Sequence, residues 1–193
     1  DPLIGLVYGD YWDFSKSDGT DSVLVSVRSF NLSDKDQLTQ YFLKDGPIVP
    51  STAIYRREVF FTVGFFNEKL KAYEETELNL RIAEKWKFFH VKGGLLYKRK
   101  KQDRITARLD KLINDTYLVS EIASSRNSQL KKFVKQRNAR YLYKCALECY
   151  INYKEKLKAL KYLISSLKLN LFDFRPWILL VMVFMPYKIT VKI

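Results

Sequence analysis

Residues 74–86 read Glu-Glu-Thr-Glu-Leu-Asn-Leu-Arg-Ile-Ala-Glu-Lys-Trp. Leu78, Ile82 and Trp86 recur at four-residue steps, and this spacing predicts a helix over Glu74–Trp86. Two apolar runs follow, Phe88–Val91 and Leu95–Tyr97, and predict two strands joined at Gly93-Gly94. Upstream, Ile4–Tyr8 (IGLVY) and Val23–Val27 (VLVSV) predict strands, separated by the polar stretch Ser15–Asp21 with an Asp18-Gly19 turn. Pro47–Tyr55 reads as extended chain, where Pro50 argues against a central strand. Strands and a helix in mixed order make this part of the chain α/β.

Beyond it the periodicity becomes helical throughout. Leu142, Cys145, Ala146, Cys149, Tyr150 and Tyr153 fall on one helical stripe. Leu157, Leu160, Ile164 and Leu167 form a second, with lysines spread between them, so the two helices are expected to pair as a hairpin. The last apolar run, Trp177–Met185, ends at Pro186 and falls well short of the roughly 20 residues a spanning helix needs. It can pack on the hairpin or lie at an interface.

Charge separates the same two regions. Residues 1–115 hold 19 Lys and Arg against 17 Asp and Glu, a net of +2; residues 116–193 hold 15 against 4, a net of +11. The expected organisation is therefore an α/β domain over 1–115 and a basic amphipathic helical region over 116–193. With 47% hydrophobic and 15% aromatic residues the chain can build a core, which excludes disorder. Cys145, Cys149 and His90 are the complete set of cysteines and histidines, which excludes a Cys/His zinc site and a disulfide scaffold. The two cysteines are expected to be a buried structural pair, and His90 a structural residue. The first residue is Asp1 and no secretory signal is visible after it, so the sequence reads as a fragment or processed product with cytoplasmic exposure.

The densest chemical signal is Tyr73 to Arg81, where Glu74, Glu75 and Glu77 crowd the first turn of the helix. The helix dipole stabilises acids there, which is a purely structural account. An ionised carboxylate at a helix mouth beside a cleft can instead act as a general base toward a hydroxyl.

Four pieces in order bear on that choice. Val7-Tyr8-Gly9-Asp10 ends a strand, Pro50 to Arg57 closes on Arg-Arg, Val63-Gly64-Phe65-Phe66-Asn67-Glu68 forms a turn, and Glu74-Glu75-Thr76-Glu77-Leu78-Asn79-Leu80-Arg81 opens the helix. This series resembles the C-terminal half of the catalytic domain in family-2 glycosyltransferases, which have a GT-A fold. The basic tail also resembles, by composition, the helical extensions of bacterial members.

The resemblance implies an inverting, hexosyltransferase-type enzyme. It would move a sugar from a nucleotide-sugar donor to a hydroxyl of a glycan or lipid-linked acceptor, in cell-envelope polysaccharide synthesis. It assigns the base to Glu75, where the family has Asp, with Glu74 as the alternative. It assigns acceptor or donor binding to Asp10, Arg57, Gly64, Phe65, Glu77, Arg81, Arg99 and Lys101. The family's nucleotide-binding strands and Asp-x-Asp motif precede the matching segment, so Mg²⁺ or Mn²⁺ would have its ligands outside this chain. Asp34-Lys35-Asp36 has the spacing but follows the second strand in a polar stretch, the wrong place for that motif. Where the family carries Tyr-Arg-x-His, this sequence has Tyr97, Arg99 and, at the His position, Lys101. Lysine can hold a diphosphate as a point charge but cannot ligate a metal as imidazole does.

Two other readings compete. Glu for Asp and Lys for His fit a degenerate, non-catalytic relative. The basic tail fits a module on an anionic membrane surface, peripheral at the inner face. Nucleic acid is disfavoured, because the tail's aromatics fall on the apolar stripe instead of alternating with its charges.

Overall fold

The computed structural model describes residues 1–16, 18–27, 37–44, 48–99, 109–152 and 154–184. The chain is a mixed α/β protein of two compact units, Asp1–Asp103 and Arg104–Ile193. The boundary therefore lies ahead of the one expected after Asp115, because a continuous helix, α4 (Leu109–Arg126), runs through that position.

The first unit is organised by β1 (Ile4–Phe14). Along one edge it pairs in parallel with β4 (Lys87–Arg99), from Ile4 opposite Lys87 to Phe14 opposite Arg99. The other edge is shared by two short antiparallel strands. β2 (Val23–Val25) covers Tyr11 to Asp13, and β3 (Ile54–Tyr55) covers Leu6 and Val7. A parallel pair needs a long crossover, and the segment between β1 and β4 supplies it with α1 (Gln37–Lys44), α2 (Arg57–Val63) and α3 (Glu74–Ala83). Leu6 and Tyr8 point into the core, where Tyr8 and Tyr41 meet Phe88 edge-on, with ring centroids at 6.4 and 5.3 Å. Gln37 docks α1 on the start of β4 through a buried amide. Its Oε1 accepts Phe88 N–H at 2.9 Å and its Nε2 donates to Trp86 O at 3.0 Å.

Several sequence expectations shift here. The helix over 74–86 ends at Ala83, because Lys85 and Trp86 N–H both return to Ile82 O and close the last turn. Val23–Val27 is strand only to Val25, since Val27 N–H turns to the Asp10 carboxylate. Pro50–Thr52 forms a 3₁₀ turn, where proline is preorganised for its first position. The two strands expected around Gly93-Gly94 are one. Register with β1 jumps from Gly9–Val91 to Asp10–Gly94, so Lys92 and Gly93 bulge out while the strand continues. Gly93 takes φ +100° there, and a Cβ on Gly94 would sit 2.1 Å from Trp12 Nε1. The indole can lie across β4 because Gly94 has no side chain.

The second unit is helical: α4, a 3₁₀ turn at Ser128–Phe133, α5 (Val134–Ile151), α6 (Lys156–Leu169) and α7 (Phe174–Phe184). On α5 the predicted stripe from Leu142 to Tyr150 is buried, and α5 packs on α6 as the expected hairpin. Tyr153, Met185 and Pro186 lie outside the described residues. Both cysteines are buried and unbridged, and burial pushes the Cys149 thiol up to about 11. Arg137 is buried too, donating to Thr116 O at 2.8 Å and to Ser120 Oγ.

The predicted stripe of α6 is corrected. Leu157 is 85% exposed and Ile164 44%, while Ala159, Tyr162, Leu163, Ser166 and Leu167 face inward. Two hydroxyls explain the rotation. Ser166 donates to Ala139 O at 2.8 Å and Tyr162 to Asp110 Oδ1 at 2.9 Å, so polar residues on this face are satisfied inside. Among the described residues no helix is long and apolar enough to cross a membrane.

The Trp12–Gly94 contact is directly testable. Gly94→Ala is expected to cost about 1–3 kcal/mol by overpacking. In a Trp12→Leu background the cost should fall by at least about 0.5 kcal/mol. Urea unfolding of the four proteins measures both; an additive pair would show that Trp12 is not what Gly94 accommodates.

Candidate functional site

The expected site residues fall into separate clusters along the first unit. The first surrounds the start of α3. Tyr73, its N-cap, sits in the left-handed region at φ 63°, ψ 19°, and its carbonyl accepts Glu77 N–H at 3.0 Å. A bulky residue held there carries strain of order 1–3 kcal/mol. Glu74 and Glu75 follow, both half-buried, in the turn whose open N–H groups favour negative charge. Thr76 Oγ1 lies 3.4 Å from Glu75 Oε1.

Tyr55, from β3, reaches the same place. Burial pushes its hydroxyl up to about 12, and the charge of Glu75 adds to the effect. The Tyr55 hydroxyl faces Asn79 of α3. Tyr55 Oη and Asn79 Oδ1 are both buried without an ordinary hydrogen bond, while Asn79 Nδ2 donates to Tyr41 Oη at 2.9 Å. The Tyr55 hydroxyl and Asn79 are thus buried next to the helix start that carries the half-buried Glu74 and Glu75. The two carboxylates are the groups there that can accept a proton from a ligand. Tyr55 and Asn79 were not anticipated; their signal was their place inside the two motif segments that contain them.

Glu77 and Arg81 form the second cluster. Glu77 is buried, and its carboxylate accepts from Arg81 Nε and Nη2, the latter at 2.8 Å. The same guanidinium donates to the carbonyls of Val63 and Phe65. Arg81 thus fastens α3 to the turn after α2, where Gly64 caps the helix at φ +81°. Phe65 stacks on Phe60 at 5.4 Å and remains exposed, and exposed Arg57 lies over the ring of Phe61. Expected as binding residues, Gly64, Glu77 and Arg81 are brought together as a clamp that positions Glu74 and Glu75.

Asp10 centres the third. Its Oδ1 accepts Val27 N–H at 2.8 Å and lies 2.8 Å from His90 Nε2; its Oδ2 accepts Gly93 N–H at 2.9 Å. His90 stacks on Tyr8 at 5.1 Å. Burial opposes ionisation of Asp10, yet the Gly93 N–H, His90 and the Val27 N–H hold its carboxyl below the usual value. Asp10 thereby ties the β4 bulge and the end of β2 to β1.

Arg99 belongs to a fourth place, an open cleft of about 470 Å³ lined by Trp12, Phe14, Asp18, Tyr97 and Arg99. Trp12 stacks on Tyr97 at 6.1 Å, and the Arg99 guanidinium lies 5.5 Å over Phe14. From Leu6, opposite Tyr55, to Trp12 is six residues of strand, or about 20 Å, so Arg99 is not brought to the carboxylates. Lys101 and Asp34-Lys35-Asp36 lie outside the described residues. Among the described residues no three His, Cys, Asp or Glu side chains converge as a metal would require.

No family model, no curated protein and no solved structure matches this chain.

The Asp10 network generates a pH-dependent prediction. Its folded-state pKa lies below the unfolded one, so the carboxylate's contribution is complete above about pH 4 and is lost as pH falls through the folded-state value. Asp10→Asn should therefore cost about 1–3 kcal/mol near neutral pH, and the gap should narrow below about pH 4. Urea unfolding across that range measures it; a gap independent of pH would contradict the assignment.

Proposed function

We propose that the first unit is the acceptor-and-base part of an inverting family-2 glycosyltransferase with a GT-A fold. The observation that carries this reading is the division of labour among three acids in one helical turn. Glu77 is drawn inward by Arg81, whereas Glu74 and Glu75 stay half-buried, with Glu75 near Tyr55. The ordered motifs from Asp10 to Arg81 support it, as does a mixed sheet in which β1 and β4 run parallel.

In this reading an acceptor hydroxyl lies against Glu75. The carboxylate takes its proton as the oxygen attacks the anomeric carbon in line. The bond from that carbon to the diphosphate breaks, and its electron pair leaves with the nucleoside diphosphate. The divalent metal expected with such enzymes finds no ligand set among the described residues, and no step here passes through it. The donor-binding strands are assigned to sequence upstream of Asp1 in the whole protein.

The test is nucleoside diphosphate release from UDP-sugars by a protein extended upstream of Asp1. Glu75→Gln should lower kcat by about 10²–10⁴, while Glu58→Gln, on the exposed side of α2, leaves it unchanged. Unchanged turnover in Glu75→Gln would remove Glu75 from the mechanism. A wild-type protein without turnover would favour the degenerate, non-catalytic reading.

A further inference from the structure

Helix α7 has two apolar faces, and the packing of the helical unit uses one of them. Pro176, Leu179 and Val183 are buried, and Tyr150 of α5 donates to Met182 O at 2.9 Å, which fixes the helix against its neighbours. The other face presents Phe174, Trp177, Ile178, Val181 and Phe184, all exposed, at helical spacing. The turn before it is apolar as well: Phe172 is 99% exposed and Leu171 is exposed beside it. That turn is held in place. Trp177 Nε1 donates to Leu171 O at 3.0 Å, and Phe172 N–H donates to Asn170 Oδ1 at 3.2 Å.

The outer stripe of α6 runs into the same turn. It consists of Leu157, Lys161, Ile164 and Lys168, one apolar and one cationic residue in alternation, all exposed. Across residues 156–184 there are five Lys and Arg and one carboxylate, Asp173. Arg175 neutralises it through its guanidinium, with Nε at 2.8 Å from Oδ1.

We infer that the exposed face of α7, the Leu171–Phe172 turn and the lysine-bearing stripe of α6 seat the helical unit on an anionic lipid surface. The eleven described residues of α7 span about 16 Å, about half of a bilayer's hydrocarbon core, and in this arrangement α7 lies in the interface plane with its apolar stripe at the acyl boundary. Lys161 and Lys168 then reach lipid phosphates. Charge selects this occupant over a second copy of the chain, which would bring the same cations against these. The inference is independent of whether the first unit transfers sugar.

Co-sedimentation of the 193-residue chain with vesicles tests it. Vesicles containing phosphatidylglycerol should capture the chain at low salt, and those of phosphatidylcholine alone should capture it at least about tenfold more weakly. Phe172→Ser combined with Ile178→Ser should reduce capture about tenfold or more, and Lys161→Glu with Lys168→Glu should do the same. All four positions are exposed, so circular dichroism should show unchanged helix content. Equal capture by both vesicle types, capture by neither, or capture unaffected by either double variant would overturn the inference. Concentration-dependent self-association abolished by Phe172→Ser with Ile178→Ser would overturn it in favour of a second copy.

Discussion

Every polar side chain that this chain buries has to recover the hydrogen bonds it gives up in water, and that requirement fixes much of the structure. Gln37 recovers them from the start of β4, Asp10 from the β4 bulge and Val27, Arg81 from Glu77 and two carbonyls, and Arg137 from α4. A buried group left without a partner costs about 1–3 kcal/mol, comparable to a large fraction of a small domain's stability. Each of these side chains therefore holds a particular pair of elements in a particular register. Tyr55 Oη and Asn79 Oδ1, next to each other by the start of α3, are exceptions, and so is Thr116 Oγ1 in α4. Tyr73, held in the left-handed region, lies at the same helix start.

The same requirement explains what was legible in the sequence and what was not. The β1 and α3 segments and the buried stripe of α5 declare themselves through hydrophobic spacing, since their inward residues are mostly apolar. The face of α6 does not. Spacing counts Leu157 and Ile164 as core, but Tyr162 and Ser166 turn inward because Asp110 and Ala139 offer acceptors from other helices. No single-sequence pattern contains that information. Gly93-Gly94 misled in a related way: a glycine pair reads as a chain reversal, yet it serves a bulge and a seat for the Trp12 indole.

The candidate site was readable in part. The acids at the start of α3 stand out as a cluster, and their helix was expected. Their sorting into one structural and two half-buried carboxylates was not, because it depends on Arg81 reaching back to Val63 and Phe65. Residues grouped by motif order proved to occupy distinct places, with Arg99 in an aromatic cleft about 20 Å along β1. If the chain acts on glycans as proposed, Glu75 and that cleft meet different parts of an extended acceptor, or different ligands.

The central claim is that the α3 carboxylates belong to a nucleotide-sugar transferase whose donor site is completed by upstream sequence. Calorimetric titration of UDP-sugars with Mn²⁺, into this chain and into one extended upstream of Asp1, tests it most directly. The account predicts binding to the extended protein and none to the 193-residue chain. Absence of binding to both would contradict it.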